Sequence, residues 1–306
     1  MADGERVVAI PAHDAFCVAA SSDGRWIAAG TLSRKVFVWG ATTYEQAFAG
    51  NTGSDIYDVD FSPDSTRLVS ASYNLGTAII WDVATWRNVR TLSHRSFTYS
   101  TRYSPQGDRI ATAGPDSVRI WDSNDGCLLV DIKVQVTYTN CLFWCKNNLF
   151  VRTDDGKIWR IDAATGSTIS EWPVPYAPWP CIALLQHGKF IACSAEKAIT
   201  IWDTTTQSQL SLIQLTHDVR SIACASNGEL LAIGGQGKVI VKELFQPVSV
   251  CSMLCLQSTF TASHFHHTFR NQNFKSYLLF NPVWSRYIVS RLQSIFLYLG
   301  LPGART

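Results

Sequence analysis

The chain has 306 residues, of which 46% are hydrophobic and 16% are charged, and its formal net charge is +2. The hydrophobic fraction excludes a disordered chain, and the near-neutral balance argues against a protein that binds nucleic acid through a basic surface, so we expect no nucleic-acid partner. The charge is unevenly distributed. The last acidic residue is Glu243, so residues 1–243 carry a net charge of −3, while residues 244–306 hold five basic residues and no carboxylate.

The start of the chain and its cysteines indicate a reducing compartment. The first residues lack the basic and apolar regions of a signal peptide, and no Asn-x-Ser/Thr glycosylation site occurs. The nine cysteines are odd in number and mostly lie in apolar runs, as buried thiols do. The longest uncharged stretches near the C-terminus, 276–285 and 292–304, are too short for a membrane-spanning helix. We expect a cytoplasmic protein, with the nucleus as the alternative, that is neither secreted nor membrane-spanning.

Two sequence patterns recur along the chain with a period of about 40 residues. The first is an apolar run that ends in Trp or a substitute, usually followed by Asp; its aligned positions are 39, 81, 121, 161, 202 and 242. The second lies half a repeat earlier and is rich in Ser, Pro, Asp and Gly, which are typical of tight turns. It begins at positions 21, 62, 104, 186 and 226, with residues 146–148 in the remaining slot.

Each repeat is predicted to form four short strands. In the second repeat these are residues 57–61, 67–71, 78–81 and 88–92, separated by polar turns. No helical period runs through these segments. The third strand is apolar on both faces, which is typical of a small sheet packed between two neighbouring sheets.

These repeats resemble WD40 repeats, which form four-stranded blades arranged around an axis as a β-propeller. The resemblance covers about residues 5–244 and implies an all-β fold. In that family a His, a Ser or Thr of the second strand, an Asp and the Trp form a hydrogen-bonded tetrad within a blade. In this sequence the third repeat supplies all four, as His94, Thr112, Asp116 and Trp121.

The sequence favours six blades. The repeats end near residues 40, 82, 122, 162, 203 and 243, so we divide the chain into a propeller, 1–244, and a non-repeat tail, 245–306. The sixth repeat runs out of pattern after Leu244 and lacks its fourth strand, whereas residues 6–10 form an isolated apolar strand before the first repeat. The resemblance implies that this strand completes the last blade and closes the ring, which removes an exposed edge. A seventh blade built from the tail is the alternative.

The tail shows neither repeat pattern. We interpret it as poorly packed or partly helical, because Trp284, Ile288, Leu292, Ile295 and Leu299 follow helical spacing. Such a helix could pack on the propeller or, as the less favoured alternative, lie on a membrane surface. The tail also leaves open that the sequence is a piece of a longer repeat protein.

Metal and cofactor sites are not predicted. Two cysteines and three histidines of the tail are the only cluster with ligand chemistry, and their spacing fits a zinc finger badly. These residues are Cys251, Cys255, His264, His266 and His267. A glycine-rich stretch at 234–238 lacks the spacing and the Ser or Thr of a phosphate-binding loop.

The candidate binding residues follow from the resemblance. In a propeller of this family, the loops that join the fourth strand to the next blade and the second strand to the third gather on the top face and usually bind the partner. The aromatic and basic residues predicted in these loops are Arg34, Lys35, Tyr73, Arg95, Phe97, Tyr99, Tyr138, Tyr176, Trp179, Lys197 and Arg220. Residues 175–180 are the sharpest candidate, because three prolines stiffen a loop that carries two aromatic rings. Packing of Trp179 between blades is the alternative reading of that residue.

We therefore expect a monomeric propeller that acts as a non-catalytic scaffold for other proteins or peptides, without cofactor. Two alternatives remain open: a propeller with a ligand or catalytic site in its central channel, and a membrane-peripheral scaffold anchored by the tail. A cluster of Asp, His or Arg side chains turned into the channel favours the first alternative.

Overall fold

The computed structural model describes residues 14–134, 139–224, 230–235 and 238–244. Over these residues the fold is all-β, with 23 strands and one short 3-10 helix. The strands form six antiparallel sheets, five of four strands and one of three, and the strand order in every sheet follows the chain. Each sheet is therefore one repeat, and the prediction of a six-bladed propeller is confirmed.

Blades 1 to 3 are complete four-stranded sheets. Their strands are β1 (Ala15–Ala20), β2 (Trp26–Thr31), β3 (Lys35–Gly40) and β4 (Gln46–Asn51); β5 (Ile56–Phe61), β6 (Arg67–Ser72), β7 (Thr77–Asp82) and β8 (Asn88–Ser93); and β9 (Ser100–Tyr103), β10 (Arg109–Ala113), β11 (Ser117–Asp122) and β12 (Leu128–Lys133).

Blades 4 and 5 also have four strands, and blade 6 has three within the described residues. Their strands are β13 (Thr139–Cys145), β14 (Asn148–Thr153), β15 (Lys157–Asp162) and β16 (Thr168–Pro173); β17 (Ile182–Leu185), β18 (Phe190–Ser194), β19 (Ala198–Asp203) and β20 (Gln209–Gln214); and β21 (Ser221–Cys224), β22 (Leu230–Gly235) and β23 (Lys238–Glu243). The 3-10 helix, Gln186–Gly188, joins β17 to β18.

The third strands of blades 2 and 3 are buried on both faces. In β7 and β11, four and five consecutive residues respectively are buried, because each blade is covered by its neighbours on both sides. The fourth strand is mostly exposed, with a single buried residue such as Leu92 in β8. Burial therefore increases from the rim toward the interior of the ring.

Outer strands are bent by a β-bulge opposite the Trp position of the third strand. The pairing shifts by one residue between Ile80 and Trp81 in blade 2, and the same shift occurs in blades 1, 3, 4 and 5. A bulge leaves one residue unpaired and strengthens the local twist. The repeated bulge shows that the period of the sequence is also a period of backbone geometry.

Adjacent blades pack through their first strands and are joined by arginine side chains. The first strands of consecutive blades, from β1 through β21, lie next to one another around the axis. At the far end of the blades, Arg67 Nη1 donates to the carbonyl of Ser123 at 2.6 Å, and Arg109 Nη1 donates to the carbonyl of Ala163 at 2.9 Å. Each of these bonds connects the second strand of one blade to the turn after the third strand of the next.

Ring closure concerns residues beyond this description. The predicted closing strand at 6–10, the alternative seventh blade and the tail at 245–306 lie outside the described residues. Among the described residues, no helix has the length and apolar character needed to cross a bilayer.

Candidate functional site

The loops of interest share one end of the propeller. Within a blade the strands alternate in direction, so the loop from the second to the third strand and the loop that enters the next blade lie at the same end, here called the top face. Of the predicted residues, those exposed there are Arg34, Lys35, Arg95, Phe97, Tyr176 and Lys197. Tyr73, Trp179 and Arg220 are half-buried, Tyr99 is buried, and Tyr138 lies outside the described residues.

Five aromatic rings form a contiguous cluster on the top face of blades 1 to 3. Tyr57 and Tyr73 are stacked with centroids 4.4 Å apart, and Tyr73 and Phe97 are stacked at 4.7 Å. Phe16 lies 4.5 Å from Tyr57 at one end, and Tyr99 lies 5.4 Å from Tyr73 beneath the stack. We call these five residues the aromatic patch.

Backbone irregularities place two of the rings in the patch. Phe16 and Tyr57 are the unpaired residues of β-bulges at the start of β1 and β5, where the pairing passes from Ala15 to Cys17 and from Ile56 to Asp58. A bulge redirects the side chain of the extra residue. Sequence reasoning missed both residues because it treated them as ordinary strand positions; an aromatic residue at the same place in two repeats was the available signal.

The patch is partly open to solvent. The side chain of Phe97 is 42% exposed, and Leu75, in the same loop as Tyr73, is 56% exposed. Tyr99 was predicted as a surface contact, and this was wrong: it is buried, because its ring lies under Tyr73 and Phe97 and its N–H donates to the carbonyl of Ala113 at 2.8 Å. Tyr99 therefore supports the exposed rings and does not face solvent.

The loop that carries Phe97 is fixed between blades 2 and 3. His94 N–H donates to the carbonyl of Gly76 at 2.7 Å, and the guanidinium of Arg119 donates to the carbonyl of His94. A Cβ at Gly114 would collide with the carbonyl oxygen of Phe97 and would lie 2.6 Å from His94 Nε2. Only glycine allows this close approach, so the position of the Phe97 loop depends on Gly114.

The side chain of His94 connects this loop to the core of blade 3. Its Nδ1 lies 3.0 Å from Thr112 Oγ1, and the indole N–H of Trp121 donates to the same oxygen at 2.8 Å. Burial, with the nearby Arg119 cation as a second cause, lowers the pKa of His94 to about 4. With this pKa His94 is neutral at physiological pH, because burial disfavours the charged imidazolium.

The fourth residue of the predicted tetrad is placed differently. Asp116 is exposed, and the residue facing His94 Nε2 is Ser117, whose Oγ lies 3.4 Å away. The Asp116 carboxylate still acts on His94 electrostatically and favours its protonated form. Three of the four residues thus form a direct hydrogen-bonded chain, with a hydroxyl at the end where the Asp was predicted.

Basic side chains flank the aromatic patch. Arg34 Nε lies 3.9 Å from a carboxylate oxygen of Asp55, and both groups are partly or largely exposed. The Lys35 ammonium lies 6.0 Å from the ring of Phe37. Arg95 is exposed two residues before Phe97. The edge of the patch therefore carries cations, one of which has a carboxylate partner.

Comparison with protein families agrees with this architecture. A family model described as WD domain, G-beta repeat matches residues 4–40, 42–82 and 86–122. Three of the six repeats are therefore WD40 repeats, in a chain that folds as a β-propeller over its described residues. The three matched segments contain all five residues of the aromatic patch.

Several curated proteins are similar to this WD40 chain. Small ribosomal subunit protein RACK1y of Oryza sativa subsp. japonica is 27% identical over 156 residues, which are 47% of this chain and 46% of the relative. Transcriptional corepressor LEUNIG_HOMOLOG of Arabidopsis thaliana is 24% identical, over 72% of this chain and 23% of the relative. Nuclear distribution protein PAC1 of Arthroderma benhamiae is 25% identical, over 67% and 44%. The chain spans less than half the length of each of these relatives.

A second group of predicted residues lies between blades 4 and 5 of the WD40 propeller, in the proline-rich loop 175–180. Tyr176 is 68% exposed at its tip. Trp179 is half-buried, and the Arg220 guanidinium lies 6.0 Å from the centre of its ring. The structure therefore brings Trp179 and Arg220 together but leaves Tyr176 separate from both, and Lys197 belongs to another loop.

A buried arginine holds this second loop. Arg152 donates to the carbonyl oxygens of Pro175, Cys181 and Ser194 at 3.0, 2.9 and 2.7 Å, and to Ser194 Oγ at 3.0 Å. The same Ser194 hydroxyl donates to the carbonyl of Trp179 at 2.9 Å. The loop is thus fixed by a cation bound to backbone oxygens. Sequence reasoning missed Arg152, since a lone Arg within a strand gives no signal of burial.

Acidic and basic groups of the first strands join blades 2 and 3. Asp58 Oδ2 accepts hydrogen bonds from Ser100 Oγ at 2.9 Å and from the N–H of Thr101 at 3.0 Å, and lies 3.4 Å from Arg102 Nη1. Asp60 accepts a hydrogen bond from the N–H of Tyr103 at 2.8 Å. These carboxylates connect β5 to β9.

Three cysteines of blades 4 and 5, Cys141, Cys181 and Cys193, have thiols with little nucleophilic character. Burial raises the pKa of Cys141 to about 11 and that of Cys181 and Cys193 to about 12, and the nearby Arg152 cation offsets only part of the effect. A thiol with such a pKa remains protonated at neutral pH. Within the described ranges, His, Cys, Asp and Glu do not gather in groups of three or more that could hold a metal ion.

Proposed function

We propose that this WD40 propeller is a non-catalytic scaffold for proteins or peptides, and that a partner binds the top face of blades 1 to 3. The observation that carries the proposal is the stack of Tyr57, Tyr73 and Phe97, which crosses from blade 2 to blade 3 and ends in an exposed ring, while Phe16 extends it to blade 1. Aromatic side chains dominate the binding energy of protein interfaces because they bury a large area at low entropic cost.

The rigidity of the patch supports this proposal. The rings of Tyr73 and Phe97 are held by stacking, and the loop of Phe97 is anchored by buried His94 and by close packing at Gly114. A preorganised surface loses little side-chain or loop entropy on binding. The exposed Leu75 and the cations Arg34 and Arg95 add an apolar contact and a charged rim, as is typical of interfaces.

Scaffolding is favoured over a catalytic channel because the polar groups of the first strands serve structural contacts. Asp58 and Asp60 accept hydrogen bonds across the boundary between blades 2 and 3. The thiols of Cys141, Cys181 and Cys193 near Arg152 have raised pKa values, which is the opposite of what a nucleophile requires. The names of the relatives refer to a ribosomal subunit, transcriptional corepression and nuclear distribution, which are multiprotein settings.

Affinity capture from cell lysate with mass spectrometry tests the site. The full chain is compared with the double variant Leu75→Ala/Phe97→Ala and with the control Leu129→Ala, which removes an exposed aliphatic side chain from the rim. We expect the double variant to lose the partners that the wild type and the control retain. Equal recovery from all three proteins contradicts the assignment.

The proline-rich loop is the second candidate surface, because Tyr176 is the most exposed large ring described. The variant Tyr176→Ala distinguishes it from the aromatic patch. If partners are lost with Tyr176→Ala and kept with Leu75→Ala/Phe97→Ala, binding belongs to the boundary of blades 4 and 5, and the assignment to blades 1 to 3 is wrong.

We also infer a reducing location, the cytoplasm or the nucleus. Cys127, Cys141, Cys145, Cys181 and Cys193 are free thiols, and two of them, Cys181 and Cys193, are buried. Unpaired buried thiols are typical of proteins from reducing compartments. Cell fractionation of the tagged full chain tests the inference, and recovery from the secretory pathway contradicts it.

A further inference from the structure

The outer strands of the blades differ in how their free edges are protected. β4, β8, β12, β16 and β20 each form the outer edge of a sheet, and each has a bulge near its first residues. Edge strands are natural pairing sites, and proteins block them with charges, prolines or bulges. Since all five strands share the bulge, the remaining residues decide which edge stays open.

Three of the five outer strands carry blocking residues beyond the bulge. β8 has the exposed Arg90, β12 has Asp131 and Lys133, and β16 has Glu171 and Pro173. These charges and the proline lie on the exposed part of each strand, where an added strand would pass. Pairing along these edges is disfavoured.

β20 lacks this protection. Between Asp203 and Asp218 the sequence contains no Lys, Arg, Asp or Glu. The side chain of Leu212 is 54% exposed, and it occupies the position of Asp131 in β12 and of Glu171 in β16. Leu210, the unpaired bulge residue, is 40% exposed beside it. The outer strand of blade 5 therefore presents an uncharged, aliphatic edge.

β4 is also uncharged but offers less to a partner. Its exposed side chains include Ala47 and Ala49, and Phe48 packs against Trp86 and Trp81 of the neighbouring blade at 5.4 Å. Two alanines provide little apolar area for an added strand to bury. β20 is distinct in combining an absence of charge with two exposed leucines.

The backbone of β20 points donors away from its own sheet. Pro173 pairs with Lys157 in β16 at the position that Gln214 occupies opposite Ala198 in β20. Since proline has no N–H and β16 still pairs there, the N–H at this position is directed outward. Residues two apart in a strand share that direction, so Leu212 and Gln214 both present their N–H and carbonyl groups at the edge.

We propose that two copies of this chain associate through their β20 strands, paired antiparallel about a two-fold axis. A second copy fits this edge because β20 meets itself without like charges, whereas self-pairing of β12 or β16 would bring identical carboxylates together. The exposed leucines of both strands are then covered in one contact. This dimer differs from the monomer expected from the sequence, and it is independent of partner binding at the top face.

Sedimentation equilibrium of the full chain over a range of concentrations tests the proposal. We expect the mass of the wild type to rise from that of one chain toward that of two. Leu212→Glu copies the residue of blade 4, and Gln214→Pro copies its proline; each is expected to weaken self-association by about tenfold or more, through like charge or through loss of an edge donor.

The matched control is Leu129→Glu, which places the same charge on a similarly exposed aliphatic residue of β12. It is expected to leave self-association unchanged. Thermal unfolding of every variant verifies that the propeller is intact. A wild type that keeps the mass of one chain at all concentrations overturns the proposal, and so does equal weakening by Leu129→Glu and Leu212→Glu.

Discussion

Blades 2 and 3 join their second and third strands through a buried hydrogen bond that blade 4 does not use. The indole N–H of Trp81 donates to Ser70 Oγ at 2.9 Å, and that of Trp121 donates to Thr112 Oγ1 at 2.8 Å. In blade 4 the equivalent positions are Val151 and Ile161, both fully buried. The strands nevertheless pair in the same register in both kinds of blade.

A blade therefore requires side chains that match their neighbours in polarity, and it does not require a particular hydrogen bond. A buried donor paired with an acceptor is stable, and so are two apolar side chains in contact. A buried donor that lies beside an apolar group instead costs free energy, because its hydrogen bond is not made. The polar groups of the second half are concentrated elsewhere. Arg152 occupies the interior of blade 4 next to the Val151 position and binds three backbone carbonyls.

Removing the buried Arg152 of blade 4 is expected to have the largest effect on stability. Arg152→Met leaves several buried carbonyl oxygens without a donor, and we expect a loss of about 3–5 kcal/mol in the free energy of unfolding. Urea denaturation measures it. The control Arg109→Met removes one hydrogen bond to Ala163 and a partly exposed ion pair with Asp108, and it is expected to cost about 1 kcal/mol. Equal costs for the two variants contradict the anchoring role of Arg152.

The buried His94, in the loop between blades 2 and 3, is expected to make the stability of the protein depend on pH. The pKa of His94 is about 4 in the folded protein and 6.5 in its ordinary state. The unfolded chain therefore binds more protons between these values, so stability is complete above pH 6.5 and falls as the pH decreases toward 4. The full shift corresponds to about 3 kcal/mol.

Urea titrations at several pH values, with wild type and His94→Gln compared, isolate this contribution because the other titrating groups are common to both proteins. We expect the difference in stability between them to shrink as the pH falls below 6.5. A difference that stays constant from pH 7.5 to 4.5 contradicts the burial of a neutral His94.

A side chain at Gly114, where the Phe97 loop packs closely, is expected to have the next largest effect on stability. Gly114→Ala introduces a methyl group against the carbonyl of Phe97 and His94 Nε2, and the loop must shift. We expect a loss of about 2–3 kcal/mol, measured by denaturation. In Gly40→Ala the nearest obstacle is the Thr43 side chain, which can rotate away, so this control is expected to cost less than about 1 kcal/mol. A smaller loss of stability for Gly114→Ala than for the control contradicts the close packing of Gly114 against the Phe97 loop.

Replacing Thr112 of blade 3 by valine, the residue that blade 4 has at the equivalent position, is expected to have the smallest effect on stability. Thr112→Val leaves the indole of Trp121 and Nδ1 of His94 without their shared hydroxyl, and we expect a loss of about 1–2 kcal/mol. Thr112→Ser keeps the hydroxyl and is expected to recover part of that loss in the same denaturation assay. Equal stability of the Val and Ser variants shows that the hydrogen bonds contribute nothing.

The period of the sequence predicts the fold because every repeat has the same backbone geometry. The turn residues and the Trp column locate the strands, and the observed β5 to β8 match the predicted segments within one residue at each end. Exposure of Arg34, Arg95 and Phe97 follows from their place in top-face loops. These features depend on local sequence, which a single chain displays directly.

Contacts between blades are not visible in the same way. The burial of Tyr99 and the contacts of Arg152 depend on residues from a neighbouring repeat. The bulges that turn Phe16 and Tyr57 into the patch lie within one blade, but they are irregularities of strand pairing that the sequence does not display. The spacing between repeats fixes which blades are adjacent but not which side chains meet. Exposure of the outer strand β20 likewise emerges only when the blades are compared position by position.

Hydrogen–deuterium exchange of the full chain, alone and with a captured partner, shows whether a partner binds the top face of blades 1 to 3. We expect added protection of the loops at residues 73–76 and 94–99, with little change at residues 175–180 and in the turns at the opposite end of the blades. Added protection confined to residues 175–180 or to those turns, with the first two loops unchanged, contradicts it.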